Sequence, residues 1–210
     1  MRPGRRMNGG PHVVALDREL TRAELTKLVA DLAANADVEY AEEDKLLQAT
    51  FTPNDTNYNL QWHYFEAAGG LNLPSAWDTS TGSGVRVAVI DTGYRPHADL
   101  AANIVGGYDF ISDTFVSRDG NLRDSDARDP GDWTLANDCQ PGWAPTESSW
   151  HGTHVSGTVA ALTNNGSGVA GVAFNARVVP VRVLGRCGGF TSDIADGLVW
   201  ASGGSVSGVP

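Results

Sequence analysis

An aspartate and a pair of histidines are the residues of this sequence whose setting suggests proton-transfer chemistry. Asp91 follows the apolar run VRVAVI at residues 85–90 and opens the tripeptide DTG, while His151 and His154 lie in the segment HGTHVSG. A run rich in β-branched residues predicts a strand buried on both faces, and α/β sheets carry their working groups at the carboxyl ends of such strands. The small residues around the histidines predict a tightly packed helix beginning near His151, and a helix start projects a side chain toward a cleft.

Other chemistries fit these residues less well. A DTG aspartate of an aspartic protease needs a second carboxylate that shares its proton, and this chain has one DTG and no DSG. Zinc-binding HExxH helices space their histidines four apart around a glutamate. His151 and His154 are three apart, have no glutamate between them and lack an evident third ligand. Two plainer interpretations stay open: Asp91 caps a turn or helix, and the histidines pack as neutral side chains.

The composition argues against two classes of partner. A net charge of −10 over 210 residues disfavours nucleic acid, and no apolar stretch approaches the roughly 20 residues that a membrane span needs. The start MRPGRRMNGG is basic but lacks the apolar segment of a secretion signal, so either the protein is not exported or its true N-terminus is missing. Cys139 and Cys187 lie in polar, glycine-containing loops, and we expect them to form one disulfide, as fits an oxidising compartment. Two unpaired thiols are the plainer alternative.

The N-terminal region predicts a small β-α-β unit within residues 12–47. A strand is expected at HVVAL, a helix after the capping-box sequence TRAE at residues 21–24, and a second strand in VEYAEED at residues 38–44. Residues 48–60 are polar and turn-rich, which is typical of a linker.

The remaining sequence, from residue 61 onward, alternates strand and helix patterns. This alternation predicts an α/β fold with a parallel sheet and flanking helices. Pro180 weakens one strand and indicates a bulge or an edge position. Thr191 or Ser192 is the expected cap of the last helix. The elements are expected at residues 85–90, 151–162, 176–184 and 191–201.

Taken together, these motifs resemble the subtilisin-like serine proteases. The likeness continues after DTG and HGTHVSG into GVAGVAFNARVVPVRVL and GGFTSDIADGLVWA. It implies an incomplete subtilisin-like fold over residues 61–210, in which Asp91 is the triad aspartate, His151 the general base and His154 a structural residue of the core. It also implies that residues 1–48 are a partial propeptide of α+β structure, and that residues 49–60 form a linker and the mature N-terminal segment.

The nucleophile that the resemblance calls for has no match in this chain. The family's serine opens a later helix in a GTS motif, and its oxyanion asparagine also lies beyond the matching region. The candidate serines occur in other contexts and none is assigned: Ser156, Ser202, Ser205 and Ser207. We therefore expect a truncated precursor whose serine follows Pro210 and whose isolated chain is inactive.

The resemblance further implies a calcium site. Family members hold calcium between an aspartate of an HxDL stretch, here Asp99, and the loop after the histidine helix, here LTNNGSGV with Asn165 as the side-chain ligand. Carboxylate, amide and carbonyl oxygens suit a hard cation. An acidic loop suggests a second calcium site, because turns could bring four carboxylates together, although a solvated acidic surface is the plainer interpretation. These four are Asp119, Asp124, Asp126 and Asp129.

A substrate-binding segment is implied by CGGFT at residues 187–191. It resembles the family strand that pairs with a bound peptide, which makes Gly188, Gly189 and Phe190 candidates for substrate binding. The resulting prediction is a secreted, monomeric serine endopeptidase that acts on proteins or peptides, binds its own propeptide and uses calcium. Two alternatives stay open. An inactive homologue would lack the later GTS serine, and a calcium-binding structural domain would hold Asp91 and His151 too far apart to hydrogen-bond.

Overall fold

The computed structural model describes residues 2–44, 51–66 and 68–210, and it divides the chain into two compact units, Met1–Ala49 and Thr50–Pro210. The boundary expected near residues 48–50 lies at the edge of a segment outside the described residues. Each unit is described by itself below.

The first unit is a hairpin followed by a helix. Strands β1 (Arg2–Arg6) and β2 (His12–Ala15) pair antiparallel, and helix α1 spans Arg22–Ala33. The predicted capping box is present, since the Glu24 amide donates to the Thr21 hydroxyl and the Thr21 amide donates to the Glu24 carboxylate. The strand predicted in residues 38–44 is wrong, because that segment has no strand and β2 pairs with the unpredicted β1. Four acidic residues among seven give the segment a low strand propensity.

The second unit is built on a parallel sheet with the strand order β3-β5-β4. The strands are β3 (Arg86–Asp91), β4 (Tyr108–Asp109) and β5 (Arg177–Arg182). Both pairings are parallel, as predicted. The long helices α4 (His151–Ala160) and α5 (Thr191–Ala201) lie where the sequence placed them. Phe190 rather than Thr191 or Ser192 is the cap residue of α5, and it makes no side-chain capping bond.

Pro180 occupies the central strand, so the expected edge position is wrong. Pro180 pairs in register with Val89 of β3. The amides of Arg177 and Val183 bond toward the β3 side, so alternation along β5 turns the missing N–H of Pro180 toward the opposite side. There the chain passes Pro180 at Gly107, and β4 begins only at Tyr108. The proline therefore breaks no ladder bond.

The two long helices cover opposite faces of the sheet. Val178 packs with Ala160 of α4. Val181 and Val183 lie three and five residues after Val178, so their side chains point to the opposite face. There they pack on the α5 side against Ile194 and Trp200. A third cluster, around Trp77 and Tyr64, anchors the segment that enters the sheet. The shorter helices are α2 (Leu73–Trp77) and α3 (Thr114–Ser117), with 3₁₀ turns at Tyr58–Leu60, Trp62–Tyr64 and Ala101–Asn103.

Candidate active site

Asp91 is the last residue of β3 and lies at the carboxyl edge of the sheet. Its residue surface is only 7% exposed. One carboxylate oxygen, Oδ1, accepts a hydrogen bond of 2.7 Å from the amide of Thr92. The strand and this local bond fix the direction in which the carboxylate points.

His151 is the first residue of α4 and meets that carboxylate. Its Nδ1 lies 2.8 Å from Asp91 Oδ2 and 2.9 Å from Asp91 Oδ1. An ionised carboxylate only accepts hydrogen bonds, so Nδ1 of His151 is the donor, and in a neutral imidazole the free lone pair is then on Nε2. The His151 side chain is 63% exposed, which leaves the imidazole accessible to a reacting group. These distances contradict the alternative of a calcium-binding structural domain, which predicted that Asp91 and His151 lie too far apart to hydrogen-bond.

The glycines of the two motifs allow this approach. A Cβ on Gly152 would lie 2.1 Å from the carbonyl oxygen of Gly93, and Gly93 itself has φ +91°. The Gly152 amide also donates a 3.0 Å bond to the hydroxyl of Thr92. DTG and HGTH therefore contact each other directly, and only glycine fits at both positions.

His154 was expected in the core, and this is wrong for the chain described. It lies on the exposed side of α4. Ser156, two residues further along and therefore on the opposite face of α4, is fully buried. Its position excludes it as a nucleophile that meets His151 in the cleft.

A cleft of about 330 Å³ opens beside His151. Leu184 and Gly188 contribute to one side of it, and Trp143 and Thr146 come from the loop that precedes α4. A second cleft of about 360 Å³ contains Gly188, Gly189 and Phe190. Of the three candidate substrate-binding residues, Gly188 lines both clefts, while Gly189 and Phe190 line only the second.

The peptide groups of Gly188 are already engaged. Its amide donates to the Gly185 carbonyl at 3.0 Å, and its carbonyl accepts from the Gly185 amide at 2.8 Å. Gly188 has φ +106°, as this tight turn requires. Phe190 is half exposed in an extended conformation, with φ −74° and ψ 140°. The strand-like surface is therefore confined to Gly189 and Phe190, and its role in substrate binding stays a prediction.

Cys139 and Cys187 form a disulfide, with an S–S distance of 2.02 Å. The alternative of two free thiols is wrong. The bond joins the loop before α4 to the turn at Gly188, and both cysteines contact the two clefts. It therefore fixes the loop that forms one side of the cleft.

Asp99 and Asn165, the first calcium candidates, lie in contact. Asn165 Nδ2 donates to Asp99 Oδ1 at 2.7 Å, and the Val169 amide donates to Oδ2 at 3.0 Å. Sequence reasoning missed Asp55, because residues 48–60 were interpreted as a linker, and this segment contacts the loop that contains Asn165. Asp55 Oδ2 accepts from the Asn164 amide at 2.6 Å, while its buried Oδ1 has no hydrogen-bond partner among the described residues. The orphaned carboxylate oxygen of Asp55 is a donor of the kind that calcium prefers, whereas Asn165 directs its Nδ2 to Asp99 and its Oδ1 accepts from the Ser167 amide at 2.8 Å.

The acidic loop does not gather its four carboxylates. Asp119 bonds Arg182 at 2.7 Å and Asp126 bonds the guanidinium of Arg128 at 2.8 Å. Asp124 accepts from Asn121 at 2.5 Å, and Asp129 is buried with its Oδ1 bound by the Gly131 amide. Across the described ranges, no group of three or more histidine, cysteine or acidic side chains is placed to hold a metal. These residues do not fit a calcium ion, and arginines supply much of the opposing charge.

Comparison with known proteins identifies the family. The sequence model of the subtilase family matches residues 82–207. An extracellular protease of Xanthomonas campestris is 60% identical over 98% of this chain, and an extracellular basic protease of Dichelobacter nodosus is 47% identical over 96%. The chain spans about a third of these relatives, 36% and 34% of their lengths. The chain belongs to the subtilase family.

A solved structure supports the same architecture. A protease structure from Pseudoalteromonas arctica matches with a TM-score of 0.75 and 72% identity, covering 76% of this chain and 47% of that one. The chain therefore has the α/β architecture of part of the subtilisin-like fold, as predicted. None of the helices in the described part of the chain is long and apolar enough to cross a bilayer.

Proposed function

We propose that this chain supplies the aspartate and the general base of a secreted subtilisin-like serine endopeptidase whose nucleophilic serine comes from sequence beyond Pro210. The observation that carries the proposal is the hydrogen bond from His151 Nδ1 to Asp91 at 2.8 Å. Family membership supports the reaction class. The relatives named as extracellular proteases support secretion.

In the proposed reaction, His151 Nε2 removes the proton from the serine hydroxyl as that oxygen attacks a peptide carbonyl. Asp91 stays ionised and stabilises the imidazolium that forms. The imidazolium then returns the proton to the departing amine, leaving an acyl-enzyme. Water attacks this ester with the same proton transfers, and the serine and the neutral imidazole are regenerated.

Substrates of this enzyme would be proteins or peptides. An extended substrate backbone would lie along Gly189 and Phe190, since this segment has an extended residue and no side chain at Gly189. Residues 1–48 would act as a propeptide that binds the completed enzyme. Deleting residues 1–48 from a chain extended beyond Pro210 should lower the yield of active enzyme on refolding. As the control, the deleted chain is refolded together with residues 1–48 supplied as a separate polypeptide.

Calcium would be held by Asp55, Asp99 and the loop that contains Asn165. When bound, it would give the buried Oδ1 of Asp55 a partner and tie the entering segment to the loop after α4. We expect a chelator to lower the midpoint of thermal unfolding of the parent, and to have little effect on an Asp55→Asn variant. Equal chelator effects on both would place the ion elsewhere.

The activity is tested by expressing a form extended beyond Pro210, with and without His151→Ala, and measuring casein hydrolysis. The parent should digest casein, and the variant should lose almost all of this activity at an unchanged unfolding midpoint. Equal rates would show that His151 is not the base. A folded parent that binds casein without cleaving it would favour an inactive homologue.

A further inference from the structure

The helix that carries His151 begins without a conventional cap. The residue before it, Trp150, is in the left-handed conformation with φ 51°, and its side chain makes no capping bond. The first amides of a helix have no partner within the helix and need one from outside. In this helix, two side-chain hydroxyls act as the hydrogen-bond acceptors for the first two amides. The His151 amide donates to Ser149 Oγ at 3.2 Å, and the Gly152 amide donates to Thr92 Oγ1 at 3.0 Å.

Each of these hydroxyls lies against an aspartate of one short segment, Asp-Pro-Gly-Asp at residues 129–132. We call it the 129–132 turn, because the Gly131 amide donates to Asp129 Oδ1 at 2.7 Å in the manner of an Asx turn. Asp132 accepts from Ser149 twice, from its amide at 2.6 Å and from its hydroxyl at 2.7 Å. Burial raises the pKa of Asp129, and the nearby Thr92 hydroxyl acts in the opposite direction. The buried Oδ2 of Asp129 makes no hydrogen bond within the described residues. The Asp129 residue is 7% exposed.

The turn is itself fastened to both motif-bearing loops. The Asp129 amide donates to the Tyr94 carbonyl at 2.8 Å, just beyond DTG. Gly131, with φ +110°, lies so close to the loop before α4 that a Cβ there would be 2.6 Å from Ser148 Oγ. The turn therefore connects the loop after Asp91 to the loop before His151.

We propose that the 129–132 turn positions the general base, with Asp132 acting through Ser149 as the principal positioning residue. This inference rests on the proposed function. Asp132 orients the Ser149 hydroxyl so that its lone pair faces the His151 amide, which fixes the first turn of α4. The imidazole is thereby held at the angle that directs Nδ1 to Asp91 and Nε2 to the cleft. Without the carboxylate, the hydroxyl can rotate and the helix start can move.

The test uses the form extended beyond Pro210 and the variants Asp132→Asn, Ser149→Ala and Ser149→Thr. Because a displacement of about 1 Å at a catalytic group can cost 100-fold, we expect kcat to fall about ten-fold in Asp132→Asn and Ser149→Ala. KM and the unfolding midpoint should stay near those of the parent. Ser149→Thr keeps the hydroxyl and should restore most of kcat. Glu147→Gln, an exposed neighbour on the same loop, is the matched control and should behave as the parent.

A double variant tests whether the two residues act in one chain of contacts. If Asp132 works only through the Ser149 hydroxyl, adding Asp132→Asn to Ser149→Ala should lower kcat no further than Ser149→Ala alone. Independent, multiplying effects would overturn the inference. An unchanged kcat in Asp132→Asn would also overturn it. A rise in KM alone would overturn it by indicating substrate contact, and a joint fall of activity and unfolding midpoint would overturn it by indicating a structural role only.

Failure of the proposed function gives a different result. In that case the folded parent itself does not hydrolyse casein. The positioning role is then measured by the low-field proton NMR resonance of His151 Nδ1–H. It should be sharp in the parent and in Ser149→Thr, and broadened in Ser149→Ala. An equally sharp resonance in all three would overturn the positioning role.

Discussion

Two aspartates occupy equivalent places in the sheet and have opposite surroundings. Asp91 ends β3, Asp109 ends β4, and both lie in register with Arg182 of the central strand β5. Asp91 meets the exposed imidazole of His151. Asp109 is fully buried and pairs with the guanidinium of Arg182, which is also fully buried and bonds Asp119 and the Ser117 carbonyl.

The partner decides what each carboxylate can do. Arginine stays protonated in proteins, and both side chains of the Asp109–Arg182 pair are fully buried, so the pair does not meet a substrate. A histidine gains and loses its proton near neutral pH, and the Asp91–His151 pair opens onto a cleft. At the same edge of the sheet, an aspartate therefore forms a buried ion pair at the end of β4 and an accessible pair with histidine at the end of β3.

The largest effect expected from this comparison is on catalysis. In the extended form, Asp91→Asn should lower kcat by about 10⁴-fold, the scale seen when an amide replaces a triad carboxylate and imposes the wrong tautomer. Its unfolding midpoint should barely change. Asp109→Asn, the matched control, should keep kcat within a few-fold of the parent. Casein hydrolysis and thermal unfolding of both variants measure this, and equal losses of kcat would erase the distinction.

The next effect is on stability. Arg182→Met leaves the buried carboxyl group of Asp109 without its guanidinium partner, and breaking a buried pair costs roughly 3–5 kcal/mol. Urea denaturation measures the loss of unfolding free energy. Adding Asp109→Leu removes the stranded carboxyl group and should recover much of that loss. A single variant as stable as the parent would show that the pair contributes nothing to the fold.

The Asp91 side of the comparison was predictable from sequence because its signals are local. A β-branched run ends at Asp91, small residues surround His151, and turns follow both. The Asp109 side was not predictable. β4 has only two residues, and Arg182 in an alternating VRVL run has the pattern of a solvent-facing side chain. Its burial depends on Asp109 and Asp119, which lie 73 and 63 residues away.

The same reason explains the other residues that were missed. Asp55 meets Asn164 across 109 residues, and Asp132 meets Ser149 across 17. No periodicity or motif marks either contact. The Cys139–Cys187 disulfide was predicted and is confirmed, although a spacing of 48 residues does not by itself prove pairing.

The pH dependence of stability should separate the two aspartates further. Burial raises the pKa of Asp109 to about 7, although Arg182 acts in the opposite direction. A carboxyl group whose pKa is higher folded than unfolded stabilises the fold at low pH, and this contribution is lost as pH rises through the folded pKa. The unfolding free energy of the parent should therefore fall relative to that of Asp109→Asn between pH 4 and pH 7. Parallel curves from urea denaturation would contradict the raised pKa.

The smallest effect concerns two glycines of one helix, and it tests how closely α4 must approach the Asp91 loop. Gly152→Ala places a methyl group 2.1 Å from the Gly93 carbonyl, and overpacking of this kind costs about 1–3 kcal/mol. Gly157→Ala meets nothing within 4 Å, so it should stabilise the helix by about 0.5–1 kcal/mol. Thermal unfolding should therefore shift in opposite directions for the same chemical change in one helix. Only Gly152→Ala moves the helix start away from Asp91, so of these two variants only Gly152→Ala should lower kcat. A Gly152→Ala variant with the kcat of the parent would show that the Asp91–His151 pair tolerates a looser approach of the two motifs.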